Sequence, residues 1–193
     1  MLPAGLGILG ISQKAIAATK TASMRRVYFD IADQLKFNAT GYFPYTPPTQ
    51  LLHGLRRALD RLLEEGLDNV VARHHRLAEG VRRGVAAMGL QRCAEHPSLY
   101  SDTVSAIRTP EGVDAREVIR IGYTHYSASF GSGLAQLAGK VFRIGHLGDL
   151  NEGMTITALG IAEMCLAEAG ARIDFGAGTA TNGSATAVNS TDL

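Results

Sequence analysis

Arg143 lies in the run Gly139-Lys140-Val141-Phe142-Arg143-Ile144-Gly145-His146-Leu147-Gly148. The stretch Val141 to Ile144 is short, apolar and bounded by glycines, so it reads as a buried strand. Side chains alternate along a strand. Val141, Arg143 and Gly145 therefore share one face, and Phe142 and Ile144 the other. A permanent cation among apolar neighbours is costly without an anion. A planar guanidinium matches a carboxylate through two parallel hydrogen bonds. Two readings follow: an internal ion pair with an Asp or Glu, or a receptor for a substrate carboxylate. The flanking glycines favour the second, because they let a small ligand approach the backbone.

A second candidate is the aromatic loop Gly41-Tyr42-Phe43-Pro44-Tyr45-Thr46-Pro47-Pro48. Tyr42, Tyr45 and Thr46 put three hydroxyls at the mouth of an expected helix, a place that attracts anions. Pro47 and Pro48 remove two backbone donors there, so a phosphate would be held by the hydroxyls and by later N–H groups. The simpler reading is a packed turn in which Thr46 only caps and Pro47 takes the first helical position.

The remaining polar residues form no recognisable constellation. His74 and His75 are adjacent and do not share a helix face, so they read as solvated or capping residues rather than metal ligands. Gly131-Ser132-Gly133 lacks phosphate-loop spacing. His146 follows the Arg143 strand and either lines the same pocket or is a loop histidine. Cys93 and Cys165 lie in unrelated segments without metal-ligand spacing, which points to free thiols in a reducing cytoplasm. No metal is expected. With 193 residues and a net charge of +1, there is no electrostatic case for nucleic acid or an anionic membrane. No apolar run reaches 18 residues. The N-terminus lacks the basic lead of a signal peptide, and the last three residues are not a peroxisomal address.

Several elements would position these groups. Leu6 to Ile11 reads as a buried strand and Ser12 to Thr19 as a short helix capped by Ser12. A second short helix spans Ile31 to Phe37. The helix after Pro47 carries Leu52, Leu55, Leu59 and Leu62 at helical spacing and stops at Glu65-Gly66. A longer helix from Asp68 to Met88 has a stripe of Val70, Val71, His74, Leu77, Val81 and Val85. Leu90 to Arg92, Thr103 to Ile107 and Ser127 to Phe130 read as strands, with Gly131 to Gly133 as a turn. Val113 to Ile121 reads as a helix. Asp149 with Glu152 signals a last helix, striped by Met154, Ala158, Ile161 and Cys165. The composition after Gly176 predicts disorder. An apolar strand beginning at residue 2 also suggests a chain cut from something longer.

Four runs, in this order, resemble the serine–glyoxylate (alanine–glyoxylate) group of class V pyridoxal-phosphate aminotransferases. They are Leu2-Pro3-Ala4-Gly5-Leu6-Gly7, Tyr42-Phe43-Pro44-Tyr45-Thr46-Pro47, Glu64-Glu65-Gly66-Leu67-Asp68-Asn69 and Lys140 to Gly148. The resemblance implies an α/β fold, the C-terminal part of a fold-type I transferase. Residues 1–66 would complete the large cofactor-binding domain, 67–175 would form the small C-terminal α/β domain, and 176–193 a disordered tail. It implies pyridoxal 5'-phosphate as cofactor, amino acid and 2-oxo acid substrates, and a homodimer. By resemblance Arg143 takes the substrate carboxylate, while Tyr42, Tyr45 and Thr46 reach the cofactor phosphate of the partner subunit.

The family's Schiff-base lysine would fall three residues before Met1, so no catalytic residue is assigned within this sequence. Ser12-Gln13-Lys14 imitates its motif but lies on the wrong side of Leu2-Pro3-Ala4-Gly5. The expectation is an enzyme that moves an amino group from serine or alanine to glyoxylate, with this chain inactive alone. The alternatives are a non-catalytic relic serving as a dimerisation lobe, and a class V enzyme with another donor or acceptor.

Overall fold

The computed structural model describes residues 2–181. The chain divides into two compact units between Glu64 and Glu65.

The first unit holds α1 (Gln13–Thr19), α2 (Ile31–Asn38) and nearly all of α3 (Thr49–Glu65). Two of these helices start where the sequence supplies a cap. Ser12 accepts the Ala15 N–H at 3.2 Å, and Asp30 accepts the Ala32 N–H at 2.8 Å. The helix after the aromatic loop starts later than expected. It begins at Thr49, not at Pro47, because the residue before a proline is pushed out of the α region, and both Thr46 and Pro47 precede one. Leu6 to Ile11 is not a strand: it has no ladder partner among the described residues, and Ile8 is 82% exposed. In this unit Ala58 alone is buried among the described residues.

The second unit contains the core. Gly66, at φ 85, ends α3 and admits α4 (Leu67–Ala87) directly behind it. Leu77, Ala78, Val81 and Val85 of α4 are fully buried, whereas Val71, expected in the stripe, is exposed. Three strands form an antiparallel sheet in the order β1 (Val104–Arg108), β3 (Val141–Gly145), β2 (Gly131–Ser132). α5 (Ala115–Tyr126), capped by Asp114, and α6 (Glu152–Glu168) complete the unit. Ile107, Phe142 and Ile144 meet Val81, Val85, Val118, Ile121, Leu159 and Leu166 in one apolar cluster.

Two strand expectations and one turn change in this unit. Leu90 to Arg92 is reduced to a single bridge, Arg92 to Ile107. Ser127 adopts φ 51 and ends α5, so Ser127 to Phe130 is a connection and Phe130 plugs the core. The strand falls on Gly131 and Ser132, where a turn was expected. In α6 the cap is Asn151, which accepts the Met154 N–H at 3.0 Å, and not Asp149. The buried stripe of α6 is Thr155, Leu159, Ala162 and Leu166 with Cys165, while Met154 is half exposed. The tail assignment also needs correction at its start. Residues 177–181 are helical, and buried Glu163 accepts the N–H groups of Gly176 and Gly178 at 3.2 and 2.9 Å. Residues 182–193 lie outside the described residues. No described helix is long and apolar enough to cross a membrane.

Candidate active site

Strand β3 is buried at Val141, Phe142 and Ile144, half-buried at Arg143 and exposed at Gly145. Arg143 sits opposite Ala106 of β1 and Gly131 of β2, on the face turned away from the helices. Its guanidinium makes no hydrogen bond or ion pair with any described residue, and its Nε is buried without an acceptor. Of the two readings of Arg143, the internal ion pair is therefore not found among the described residues.

Gly131 controls how that side chain lies. A Cβ at Gly131 would sit 3.1 Å from Arg143 Nε and 3.2 Å from its Cβ, so the guanidinium rests on bare backbone. The sequence signals a glycine-rich turn here but not this close approach, because the contact depends on strand register.

His146 does not share the Arg143 pocket. It is fully buried, its Nδ1–H donates to the Asp102 carbonyl at 3.2 Å, and its Nε2 accepts from the Ser105 hydroxyl at 2.9 Å. Burial holds its pKa below the ordinary value, against the opposing pull of the Asp102 carbonyl. With both ring nitrogens engaged, His146 is a neutral structural residue.

The loop leaving β3 is fastened to α4. Gly148 donates its N–H to His74 Nε2 at 2.9 Å, and His74 Nδ1–H donates to Val70 O at 2.7 Å. Arg73 donates to the carbonyls of Gly148 and Leu150 at 2.9 and 3.0 Å and makes a two-pronged pair with Glu65 at 2.6 and 2.9 Å. Hydrogen bonding to Glu65 raises the Arg73 pKa despite partial burial. Arg76 pairs with Glu152 at the start of α6. His74 is thus a loop clamp, close to its reading as a capping residue. Arg73 gave no sequence signal as a loop clamp, since the carbonyls it holds are 75 and 77 residues away.

In the first unit Tyr42, Tyr45 and Thr46 are all exposed. Tyr45 accepts the Tyr28 N–H at 3.2 Å, with the two rings 4.9 Å apart, which leaves its own O–H free to donate. The side-chain hydroxyls of Tyr42 and Thr46 make no hydrogen bond with described residues, although the Tyr42 N–H donates to the Phe37 carbonyl at 3.1 Å. Three available hydroxyls within five residues fit a phosphate. Lys14 is exposed on α1. No group of three or more metal-ligating side chains occurs among the described residues.

No family model matches the chain. Curated relatives do. It is 56% identical over 181 residues to serine–glyoxylate aminotransferase of Hyphomicrobium methylovorum, covering 93% of this chain and 45% of that protein. It is 51% identical over 180 residues to L-aspartate–glyoxylate aminotransferase of Paracoccus denitrificans, covering 93% and 46%. Among solved structures, pyridoxamine–pyruvate aminotransferase of Mesorhizobium loti superposes with a TM-score of 0.83 at 34% identity, over 95% of this chain and 47% of that one. Ureidoglycine–glyoxylate aminotransferase of Bacillus subtilis gives 0.80 at 26%, over 89% and 44%. The fold is thus a portion of a fold-type I transferase. The chain belongs to the class V pyridoxal-phosphate aminotransferases, and it spans about half the length of the curated relatives it matches.

Proposed function

We propose that the protein to which this chain belongs transfers an amino group from serine to glyoxylate. The observation that carries the proposal is Arg143: a half-buried guanidinium, without an anionic partner among the described residues, on the open face of a rigid sheet. The relatives named for glyoxylate supply the acceptor, and those named for serine supply the donor.

Arg143 takes the α-carboxylate through the outer edge of its guanidinium, and so fixes the position of the α-carbon. The hydroxyls of Tyr42, Tyr45 and Thr46 would hold the phosphate of pyridoxal 5'-phosphate bound by a second subunit of a homodimer. When bound, that cofactor supplies the electron sink for the α-carbon. His146 moves no proton, because both of its nitrogens are committed inside the core. Lys14 takes no part. The unpaired thiols Cys93 and Cys165 suit a cytoplasmic location.

The test is an assay of the full-length protein with serine and glyoxylate, beside Arg143→Ala. Turnover by the parent and a raised KM with reduced rate in the variant support the proposal. A change within error removes Arg143 as the carboxylate anchor. The aspartate–glyoxylate relative favours a second reading, in which aspartate is the donor. A donor panel separates the two.

A further inference from the structure

The second unit contains a cavity of about 360 Å³ at the β1 edge of the sheet. It is lined by two arginines that are in opposite electrostatic situations. Arg82 is buried and neutralised twice, donating at 3.0 Å to both Glu79 and Asp102. Burial alone would raise the Asp102 pKa, but hydrogen bonds from His75 and Arg82 outweigh it and hold the carboxylate below its ordinary range. Arg92 has no such partner. Its Nη1 donates to the Arg82 carbonyl and its Nη2 to the Tyr100 hydroxyl, both at 2.9 Å and both neutral acceptors. Its guanidinium lies 4.8 Å from the centre of the Tyr100 ring, and its Nε is buried without an acceptor. No carboxylate lies within ion-pair reach of Arg92 among the described residues.

The other walls are mostly apolar: Cys93, Ala94, Leu99, Val104 and Ala106. The volume is at the small end of the range for ligand pockets, roughly 300 to 1,000 Å³. A fixed, un-neutralised guanidinium beside an apolar wall selects an anion that is planar and carries a short hydrocarbon body. A phosphate would leave most of its strongly hydrated oxygens against hydrocarbon. We propose that this cavity binds a small aliphatic carboxylate, its oxygens on the outer edge of Arg92 and its chain against the apolar wall. The site is separate from the amino-transfer reading, although Ala106, the ladder partner of Arg143, lines it.

Cys93 provides a reporter. It is half-buried on the cavity wall, whereas Cys165 is fully buried with its thiol pushed up to about 11. The full-length protein is alkylated with iodoacetamide near neutral pH, and Cys93 modification is read by peptide mapping. At about ten times its dissociation constant, hexanoate should slow that modification roughly tenfold. Hexanol and hexylamine at equal concentration should give far weaker protection. Arg92→Gln should abolish hexanoate protection, Arg92→Lys should retain part of it, and Arg143→Ala should retain all of it. Four results overturn the proposal: no protection by hexanoate, equal protection by hexanol, full protection in a folded Arg92→Gln, or loss of protection in Arg143→Ala. Should Arg92→Gln not fold, the neutral and cationic hexyl compounds on the parent decide the question alone. Retained transaminase activity without protection sinks this proposal and leaves the proposed function standing.

Discussion

The two faces of strand β3 are made from alternate residues of one pentapeptide, yet they have opposite purposes. On the helix face Phe142 and Ile144 are buried, and even the polar groups there, His146 and Ser105, satisfy each other. On the other face Arg143 lies across bare backbone at Gly131 and no described residue neutralises it. The first face is complete in itself. The second has a polar demand that a ligand can meet. A functional site is thus marked less by the residue type than by what its surroundings leave unsatisfied. Arg82 makes the same point from the other side: equally cationic, it is satisfied by two carboxylates and so reads as structure.

The contrast can be broken experimentally. Phe142→Ala should cost about 3–5 kcal/mol of stability, because the ring packs against Phe130 and the helix layer. Urea unfolding measures this, and a loss below about 1 kcal/mol would show a face far less tightly packed than the burial suggests. Arg143→Ala should do the reverse, leaving the unfolding midpoint nearly unchanged while kcat/KM of the full-length protein falls by about 2–5 kcal/mol. Equal losses of stability in both variants would erase the distinction between the faces.

Gly131→Ala sharpens it. The added methyl presses on Arg143, and overpacking of this kind costs about 1–3 kcal/mol. The effect should show mainly as a raised KM for carboxylate substrates. A larger fall in stability than in KM would make Gly131 a structural glycine only.

The helix face should also titrate. His146 has a folded pKa below its unfolded value, so the unfolded chain binds the extra proton first. The stability it permits is whole above the unfolded pKa of about 6.5 and erodes as pH falls through that value towards the folded one, by up to about 1.4 kcal/mol per pH unit. Unfolding at pH 7, 6 and 5 measures the slope, and His146→Gln should flatten it while Arg143→Ala should not. The smallest effect belongs to Lys14→Ala, for which unchanged activity and cofactor binding are expected. A stoichiometric, reducible pyridoxal-phosphate adduct at Lys14, found by mapping, would reverse its reading as a decoy.

Legibility followed the range of the interaction that decides each feature. The cap at Ser12 is local, and it appears where the sequence puts it. Helices α3 and α4 were readable from their apolar period and from Gly66. Leu6 to Ile11 misled because an apolar run becomes a strand only if a neighbouring strand completes its hydrogen bonds, and none does among the described residues. β2 was missed because two residues carry no period. Arg143 was legible as a misplaced charge, while Gly131, Arg73 and Arg92 were not: Gly131 acts across strand register, Arg73 holds a loop 75 residues away, and Arg92 depends on how the chain between Arg82 and Tyr100 folds back on itself.

By itself the sequence determined which residues alternate on β3, that helices α1 to α6 form, and that a cation near Gly145 needs an anion, since all of these depend on neighbours a few positions apart. Tertiary structure alone decided that this anion does not come from the described residues, that Gly131 is the surface under the guanidinium, and that Arg82 is paired while Arg92 is not. Charge balance and close contact are properties of space, and residues far apart in the chain meet only when the sheet and helices have closed around them.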